Sequence, residues 1–141
     1  MTTNKVLITG GVGFIGLEVA KLLVGQRYPV LLFDNLSPQI HGAIPDLGAL
    51  RLLRSAQVEV FRGDVSKPSD WAVALDDIGA VVHLAAETGT AQSMYAISRY
   101  TETNVGGTAA LLNHLAGRVH PGDPGEALAP HPLSDRLKFL V

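Results

Sequence analysis

Apolar residues occur in short continuous runs that are separated by polar turns and by longer segments of mixed character. Four such runs, rich in β-branched and aromatic residues, are Val6-Leu7-Ile8, Pro29 to Phe33, Val58 to Phe61 and Ala80 to Ala86. Runs of this length between turn residues are typical of strands that are buried on both faces. The sequence therefore predicts at least four buried strands.

Segments between these runs show the spacing of amphipathic helices. Apolar residues at i, i+4, i+7 and i+8 from Ile15 predict a helix that runs from Phe14 to a stop at Gly25. Shorter helices are expected at residues 47–53 and 68–75, and residues 35–45 are expected to form a loop. A long helix from about Met94 to Leu115 is predicted from an apolar stripe of Met94, Ile97, Thr101, Val105, Thr108, Leu112 and Leu115.

The alternation of strands and helices predicts an α/β fold, with one parallel sheet covered by helices on both faces. Right-handed crossovers then give a doubly wound sheet with strand order 3-2-1-4-5. Strand five is assigned to Leu137 to Val141, after a Pro/Gly-rich loop at residues 117–136, and the chain is expected to be truncated in that strand. All 141 residues are assigned to one domain.

Composition excludes several classes of function. The formal net charge is −2 and there are no cysteines, so nucleic-acid binding lacks electrostatic support and disulfides and thiolate metal sites are excluded. The five histidines show no metal-ligand spacing, and no metal site is expected. No secretory signal precedes the first strand, and no apolar run approaches the ~18 residues of a membrane span. A cytoplasmic protein without membrane or nucleic-acid partners is expected.

Glycines are concentrated where the first strand meets the first helix, in Thr9-Gly10-Gly11-Val12-Gly13-Phe14-Ile15-Gly16. Gly10 lets the backbone turn sharply off the strand, and Gly13 has no Cβ to keep a pyrophosphate away from the main chain. Gly16 is expected to let the helix pack closely on the sheet. Free N–H groups and the positive dipole end at the helix start favour phosphates. The junction predicts a dinucleotide site, and the alternative is a glycine-rich turn without a ligand.

An acidic residue at the end of the second strand indicates which dinucleotide would bind. Asp34 lies 18 residues after Gly16, close to the ~20 expected for the carboxylate that binds the adenosine ribose. A carboxylate there would repel a 2′-phosphate, and Asn35 follows it where NADP sites often carry arginine. The sequence therefore favours NAD over NADP, unless Asp34 is only a solvated carboxylate.

Residues 9–16 and three later motifs resemble the extended short-chain dehydrogenase/reductase family, whose cofactor turn reads T-G-G-x-G-F-I-G. Gly63-Asp64-Val65 is similar to its G-D-[VIL] motif, His83 to Ala86 to its H-L-A-A motif, and Asn104 to Thr108 to its N-x-x-G-T motif. The resemblance covers roughly residues 5–116 and implies a Rossmann fold. The stretch from His83 to Met94 is most similar to the nucleotide-sugar epimerases and dehydratases of that family.

The resemblance implies a role for each matched residue toward NAD. Pyrophosphate would be held by Gly10, Gly13, Phe14, Ile15 and Gly16. Asp34 and Asn35 would bind the adenosine ribose, and Asp64 and Val65 would flank the adenine. The path to the nicotinamide would be lined by Leu84, Ala85, Ala86 and Thr88.

Two polar residues outside that set have alternative interpretations. Asn104 would support the active-site network from the long helix, although it lies beside two poor helix formers, Gly106 and Gly107, which could also be a tolerated defect. His83 is expected to be a hydrogen-bonded core residue rather than a catalytic one.

The family's chemistry uses a tyrosine four residues before a lysine, and this sequence has no Tyr-x-x-x-Lys. Four residues after its three tyrosines stand Leu32, Arg99 and Asn104. No catalytic residue is therefore assigned, and the absence is expected to reflect truncation rather than substitution.

Three functions stay open on the sequence. The first is the NAD-binding part of a nucleotide-sugar epimerase or dehydratase that transfers a hydride transiently to NAD. The others are a dinucleotide-binding remnant without turnover and a reductase of the same fold. A sheet that ends early would leave an edge and apolar surface uncovered, so poor solubility or self-association is expected, and a homodimer is left open.

Overall fold

A computed structural model describes residues 4–42, 52 and 54–116. In it, β1 (Val6–Thr9), β2 (Val30–Asp34), β3 (Val58–Arg62) and β4 (Ala80–His83) form a parallel sheet in the order β3-β2-β1-β4. The predicted fold class and the order of the first four strands are confirmed. The predicted fifth strand and the loop at 117–136 lie outside the described residues.

The strands are in a register that brings their carboxyl ends to one edge. Thr9 of β1 is paired with Phe33 of β2 and with His83 of β4, and Phe33 is paired with Phe61 of β3. β4 ends at His83, three residues earlier than predicted, because the next two N–H groups turn toward the Thr9 hydroxyl. Loops that leave this edge therefore meet around the end of β1.

Among the described residues, a helix follows each of the first three strands. α1 (Phe14–Gly25) has the predicted bounds, and α3 (Pro68–Ala74) ends one residue earlier than expected. α2 (Pro38–His41) lies in a segment that was predicted to be loop, so that prediction was wrong in part. Pro38 fits the first helical turn because its missing N–H would be unsatisfied there anyway. Of the predicted helix at 47–53, only Leu52 is described.

The predicted long helix is divided into shorter pieces. α4 (Thr90–Ser93), α5 (Ile97–Thr101), a π-helical turn (Glu102–Gly106) and α6 (Gly107–Leu115) replace it. The predicted apolar stripe is wrong in large part, because its members Met94, Ile97, Val105 and Leu112 are exposed, whereas Leu115 is buried. In α6 the buried residues are Gly107, Leu111 and Leu115.

Both faces of the sheet are covered by apolar side chains. α1 covers one face, where its Leu17 and Ala20 pack with Ile8 and Leu32. The opposite face packs against α3 and α6, with Trp71 as its largest fully buried side chain and Leu7, Phe33, Val81 and Leu111 in the same cluster. None of the helices in the described ranges is long and apolar enough to cross a membrane.

Candidate functional site

The glycine turn between β1 and α1 is the tightest part of the carboxyl edge. Gly10 has a φ of +61°, and a Cβ there would lie 3.1 Å from the Ala85 Cα, so the expected sharp turn at Gly10 is confirmed. A Cβ on Gly16 would lie 2.4 Å from the Gly10 carbonyl oxygen. Gly16 is thus required by contact with the turn itself rather than with the sheet.

Gly11 is a glycine whose requirement the sequence did not reveal. A Cβ at Gly11 would lie 2.6 Å from the Ile8 carbonyl oxygen and 2.9 Å from the Leu32 Cα. Close contact with the sheet, which was predicted for Gly16, is therefore found at Gly11. The spacing of Gly10, Gly13 and Gly16 could not reveal this, because Gly11 is not part of it.

The start of α1 presents backbone donors for which the described part of the chain supplies no acceptor. No side chain caps the helix, and its first turn contains no acidic residue. Phe14 and Ile15 are exposed there, at 87% and 62% of their surface. A helix N-terminus in this state combines free N–H groups with a positive dipole end, which suits an anionic group.

A cavity of about 340 Å³ lies against this turn at the carboxyl edge. Every residue that the sequence proposed for the cofactor lines it, except Asp64 and Asn104. The lining also includes residues that sequence reasoning missed, namely Phe33, Ser37, Ile40, His41, Gly63, Glu87 and Thr103. Gly63 belongs to the G-D-[VIL] motif but was given no role, and for the others only the topology shows that they belong to the same wall.

Asp64 lies in an adjoining, more polar cavity of about 570 Å³ that it shares with Asn35, Gly63 and Glu87. Its Oδ1 accepts hydrogen bonds from the Ser66 N–H at 2.9 Å and from the Ser66 hydroxyl at 2.8 Å. The carboxylate of Asp64 therefore shapes the turn after β3. Val65, next to it, lines the first cavity.

Asp34 holds the glycine turn as well as facing the cavity. Only 7% of its surface is exposed. Oδ2 accepts the Val12 N–H at 3.0 Å, and Oδ1 accepts the Leu36 N–H at 2.9 Å. His41 Nε2 lies 3.2 Å from the same Oδ1. A carboxylate has about four acceptor positions, so three protein partners leave Asp34 room for one further donor.

Asn104 lies in the π-helical turn and lines neither cavity. Its Oδ1 accepts the Glu87 N–H at 2.7 Å, and its Nδ2 donates to the Glu87 carbonyl oxygen at 3.1 Å. This pair of bonds fixes Glu87, which lines both cavities. Wide helical turns are frequent at functional sites. Packing explains why position 107, three residues later, is glycine, because a Cβ there would lie 2.8 Å from Val65 Cγ2.

A polar bridge, also missed from the sequence, joins the segments that follow β2 and β4. Arg99 Nη2 donates to Glu87 at 2.5 Å and to Gln39 Oε1 at 2.6 Å. Gln39 Nε2 donates in turn to the Thr88 carbonyl oxygen at 3.3 Å. The hydrogen bond and the charge of Glu87 raise the pKa of Arg99, so the guanidinium keeps its charge at any ordinary pH.

His83, at the end of β4, is hydrogen-bonded through both ring nitrogens, as expected for a core histidine. Nδ1 lies 2.7 Å from Thr9 Oγ1, and Nε2 lies 3.1 Å from Thr108 Oγ1. The indole ring of Trp71 lies against it, with ring centroids 5.8 Å apart. Burial lowers the pKa of His83 below its usual 6.5.

Stability should depend on pH through His83. The unfolded chain takes up this proton as the pH falls through 6.5, whereas folded His83 stays neutral to a lower pH. The contribution of neutral His83 is therefore complete above pH 6.5 and declines below it, until the folded pKa is passed, by at most ~1.4 kcal/mol per pH unit. Urea unfolding from pH 8 to pH 5 (about three units) will show this decline relative to His83→Asn. Parallel curves for the two proteins would contradict it.

The sequence of residues 6–121 matches the family described as the NAD dependent epimerase/dehydratase family. The chain belongs to that family. It is 38% identical to the dTDP-L-rhamnose 4-epimerase of Burkholderia thailandensis over an alignment of 114 residues. This alignment covers 79% of this chain and 30% of that enzyme. It is also 43% identical over 83 residues to the D-erythronate dehydrogenase of Cupriavidus necator, covering 58% of this chain and 25% of that enzyme.

A solved structure with a similar fold is the UDP-glucose-4-epimerase of Stenotrophomonas maltophila with bound NAD and formylated UDP-arabinopyranose. The two chains superpose with a TM-score of 0.64 at 27% identity, over 77% of this chain and 32% of the other. This member of the epimerase/dehydratase family thus spans about a third of the length of the proteins it matches. The resemblance noted in the sequence is confirmed at the level of family and fold.

Proposed function

We propose that this chain binds NAD at the carboxyl edge of its sheet and forms the dinucleotide-binding part of a nucleotide-sugar epimerase or dehydratase. The observation that carries the proposal is the uncapped start of α1, which opens beside Gly13 into the 340 Å³ cavity. Family membership supports the choice of NAD, since the family is described as NAD dependent.

The residues present fit a dinucleotide. Backbone N–H groups of Phe14, Ile15 and Gly16 would hold the pyrophosphate, and the remaining acceptor position of Asp34 would take a ribose hydroxyl. Asn35 would lie beside that ribose, while Asp64 and Val65 would flank the adenine. Toward the nicotinamide, the wall would be formed by Leu84, Ala85, Ala86 and Thr88, with Asn104 holding it through Glu87.

Bound NAD would supply reversible acceptance of a hydride from a sugar carbon, and the protein positions the reactants for that step. The role of this chain is to bind and orient the dinucleotide. The apolar wall from Leu84 to Ala86 would also keep water from one side of the cavity. The sequence contains no Tyr-x-x-x-Lys pair. Turnover is therefore expected only where these residues are joined to a segment that supplies such a pair.

Calorimetric titration of the purified chain will test the proposal. Saturable binding of NAD is expected, with weaker binding of NADP because the buried Asp34 carboxylate opposes a 2′-phosphate. Gly13→Ala should weaken NAD binding, since Gly13 lines the cavity and its new Cβ would lie only 3.1 Å from the Gly10 carbonyl oxygen, which forces the turn to shift. Leu22→Ala, on an exposed part of α1, should bind as the wild type does. A folded chain that binds neither dinucleotide would refute the proposal, and preference for NADP would refute the role of Asp34.

A dehydrogenase is the second candidate, because the similarity to D-erythronate dehydrogenase reaches 43% identity over 83 residues. The two chemistries differ in their redox balance. An epimerase or dehydratase returns the hydride and accumulates no NADH, whereas a dehydrogenase releases NADH with its oxidised product. Where these residues are joined to a segment that supplies the Tyr-x-x-x-Lys pair, absorbance of NADH during turnover of a nucleotide sugar or a sugar acid therefore distinguishes the two.

Association into a homodimer and a cytoplasmic location also remain proposals. The exposed apolar residues Met94, Tyr95, Ile97 and Val105 support self-association, because exposed apolar side chains gathered in one part of a chain favour contact with another protein surface. Sedimentation will measure it. A monomer at high protein concentration would contradict the expected self-association.

A further inference from the structure

The hydrogen atoms around His83 can be assigned by counting donors and acceptors. The Leu84 and Ala85 N–H groups each donate to Thr9 Oγ1 at 3.0 Å, and Leu84 shares its hydrogen with the Thr9 carbonyl oxygen at 3.3 Å. A hydroxyl has two lone pairs and one hydrogen. With both lone pairs of Thr9 engaged, its hydrogen must point at His83 Nδ1, 2.7 Å away. Nδ1 is therefore an acceptor and carries no proton.

The second ring nitrogen, Nε2, donates the next hydrogen bond in the same donor-to-acceptor order. A neutral imidazole whose Nδ1 accepts must carry its hydrogen on Nε2, and this hydrogen is donated to Thr108 Oγ1 at 3.1 Å. The Thr108 hydroxyl donates to the Asn104 carbonyl oxygen at 3.1 Å. A single directed chain of hydrogen bonds thus runs from Thr9 on β1, through His83 on β4, to the π-helical turn.

A charged imidazolium does not fit this chain. Protonation would place a second N–H opposite Thr9 Oγ1, whose lone pairs already receive two backbone N–H groups. The groups that contact the ring from other elements are Thr9 on β1, Thr108 on α6 and Trp71 on α3, and none of them carries a charge. No carboxylate among these contacts would compensate an imidazolium.

The two ends of the chain hold the wall of the cavity. At one end, Thr9 accepts the N–H groups of Leu84 and Ala85 and directly precedes Gly10, where a Cβ would lie 3.1 Å from the Ala85 Cα. At the other end, the Thr108 hydroxyl donates to the Asn104 carbonyl oxygen, and the Asn104 side chain accepts the N–H of Glu87. The segment 84–87 is therefore held at one end by Thr9, a direct partner of His83, and at the other by Asn104, which is linked to His83 through Thr108.

We propose that His83 is a positioning residue that, as its neutral Nε2–H tautomer, sets the distance between the glycine turn and the segment 84–88 and thereby the affinity for dinucleotide. This proposal rests on the proposed NAD site. It assigns no proton transfer to His83, which acts through Thr9 and Thr108 on the groups that line the cavity.

The tautomer is tested first, in the chain without cofactor. Nitrogen NMR of protein labelled with ¹⁵N-histidine will show one imidazole with a non-protonated Nδ1 and a protonated Nε2 at pH 7.5 (about one unit above the usual histidine pKa). His83→Asn identifies the signal by its loss. A signal with the proton on Nδ1, or rapid exchange between the tautomers, would overturn the assignment of the chain of hydrogen bonds.

Affinity for NAD is tested with matched variants. Thr108→Val removes the acceptor for Nε2–H and is expected to raise the Kd for NAD about fivefold, whereas Thr108→Ser keeps the hydroxyl and should stay within about twofold of the wild type. His83→Phe should raise the Kd about tenfold or more, and His83→Asn, whose amide oxygen can still accept from Thr9, should recover part of the loss. Circular dichroism establishes that each variant is folded.

The pH profile separates positioning from packing. Wild-type affinity should be constant above pH 6.5 and fall at lower pH as His83 takes up a proton, while His83→Asn should lack this component. His41 is present in both proteins and cancels in the comparison.

Equal pH profiles for the wild type and His83→Asn, or equal Kd values for Thr108→Val and Thr108→Ser, would overturn the proposal. If the wild type binds no NAD, the proposed function and the effect of His83 on affinity both fail, and the tautomer measurement still decides the chain of hydrogen bonds.

Discussion

Replacing Gly16 by alanine is expected to destabilise the fold by about 3 kcal/mol or more and to abolish measurable NAD binding. The new Cβ would lie 2.4 Å from the Gly10 carbonyl oxygen and 2.7 Å from the Gly11 Cα. Both neighbours are backbone atoms, so α1 must move away from the turn, and its first N–H groups move with it. Urea unfolding and calorimetric titration with NAD measure the two effects.

Gly25→Ala is the matched control in the same helix. No heavy atom lies within 4 Å of a Cβ built at Gly25, and alanine is favoured over glycine in helices by about 1 kcal/mol. This variant should be as stable as the wild type or slightly more stable, with unchanged NAD affinity. If Gly16→Ala resembled Gly25→Ala in both measurements, the close approach of α1 to the glycine turn would be refuted.

Asp34→Asn is expected to lower the free energy of unfolding by about 2 kcal/mol and to weaken NAD binding at least ~tenfold. Each carboxylate oxygen of Asp34 accepts a backbone N–H, from Val12 and from Leu36. An amide has one oxygen, so its NH₂ group must face one of these donors. The change is nearly isosteric, and the loss can therefore be attributed to hydrogen bonding and charge rather than to volume.

An exposed carboxylate provides the control for Asp34. Asp76, just after α3, is exposed, and Asp76→Asn should change neither stability nor NAD affinity. Unfolding by urea and titration calorimetry apply to both variants. Should Asp34→Asn keep wild-type stability but lose affinity, Asp34 would serve the ligand alone; if both stay unchanged, neither role stands.

The strands and the family motifs could be predicted because their signals are local. Apolar runs located β1 to β4, and alternation with helices gave the order of these strands. Gly10 and Asp34 could be assigned to one site because they lie at the carboxyl ends of adjacent parallel strands, and Leu84 could be added through the family resemblance. For these features, sequence distance and spatial distance are linked by a regular topology.

Other features depend on contacts between residues far apart in the sequence. His41 reaches Asp34 only because a short helix begins at Pro38, and Glu87 belongs to the cavity because Asn104 holds its backbone. No spacing rule relates these residues. The contact that requires Gly16, and the need for glycine at position 11, could not be predicted for a similar reason, since both depend on which backbone atoms lie near each Cα.

The π-helical turn Glu102–Gly106 has a consequence for how variants in this region should be interpreted. An additional residue in one turn rotates everything after it by about 100° relative to a regular helix. Periodicity counted across the turn therefore assigns residues to the wrong side, as it did for Leu112. Deleting one residue within it would restore regular winding and leave Asn104 and the Leu111 face unable to meet their partners at once. The length of this segment is therefore fixed more strictly than the identity of its exposed residues.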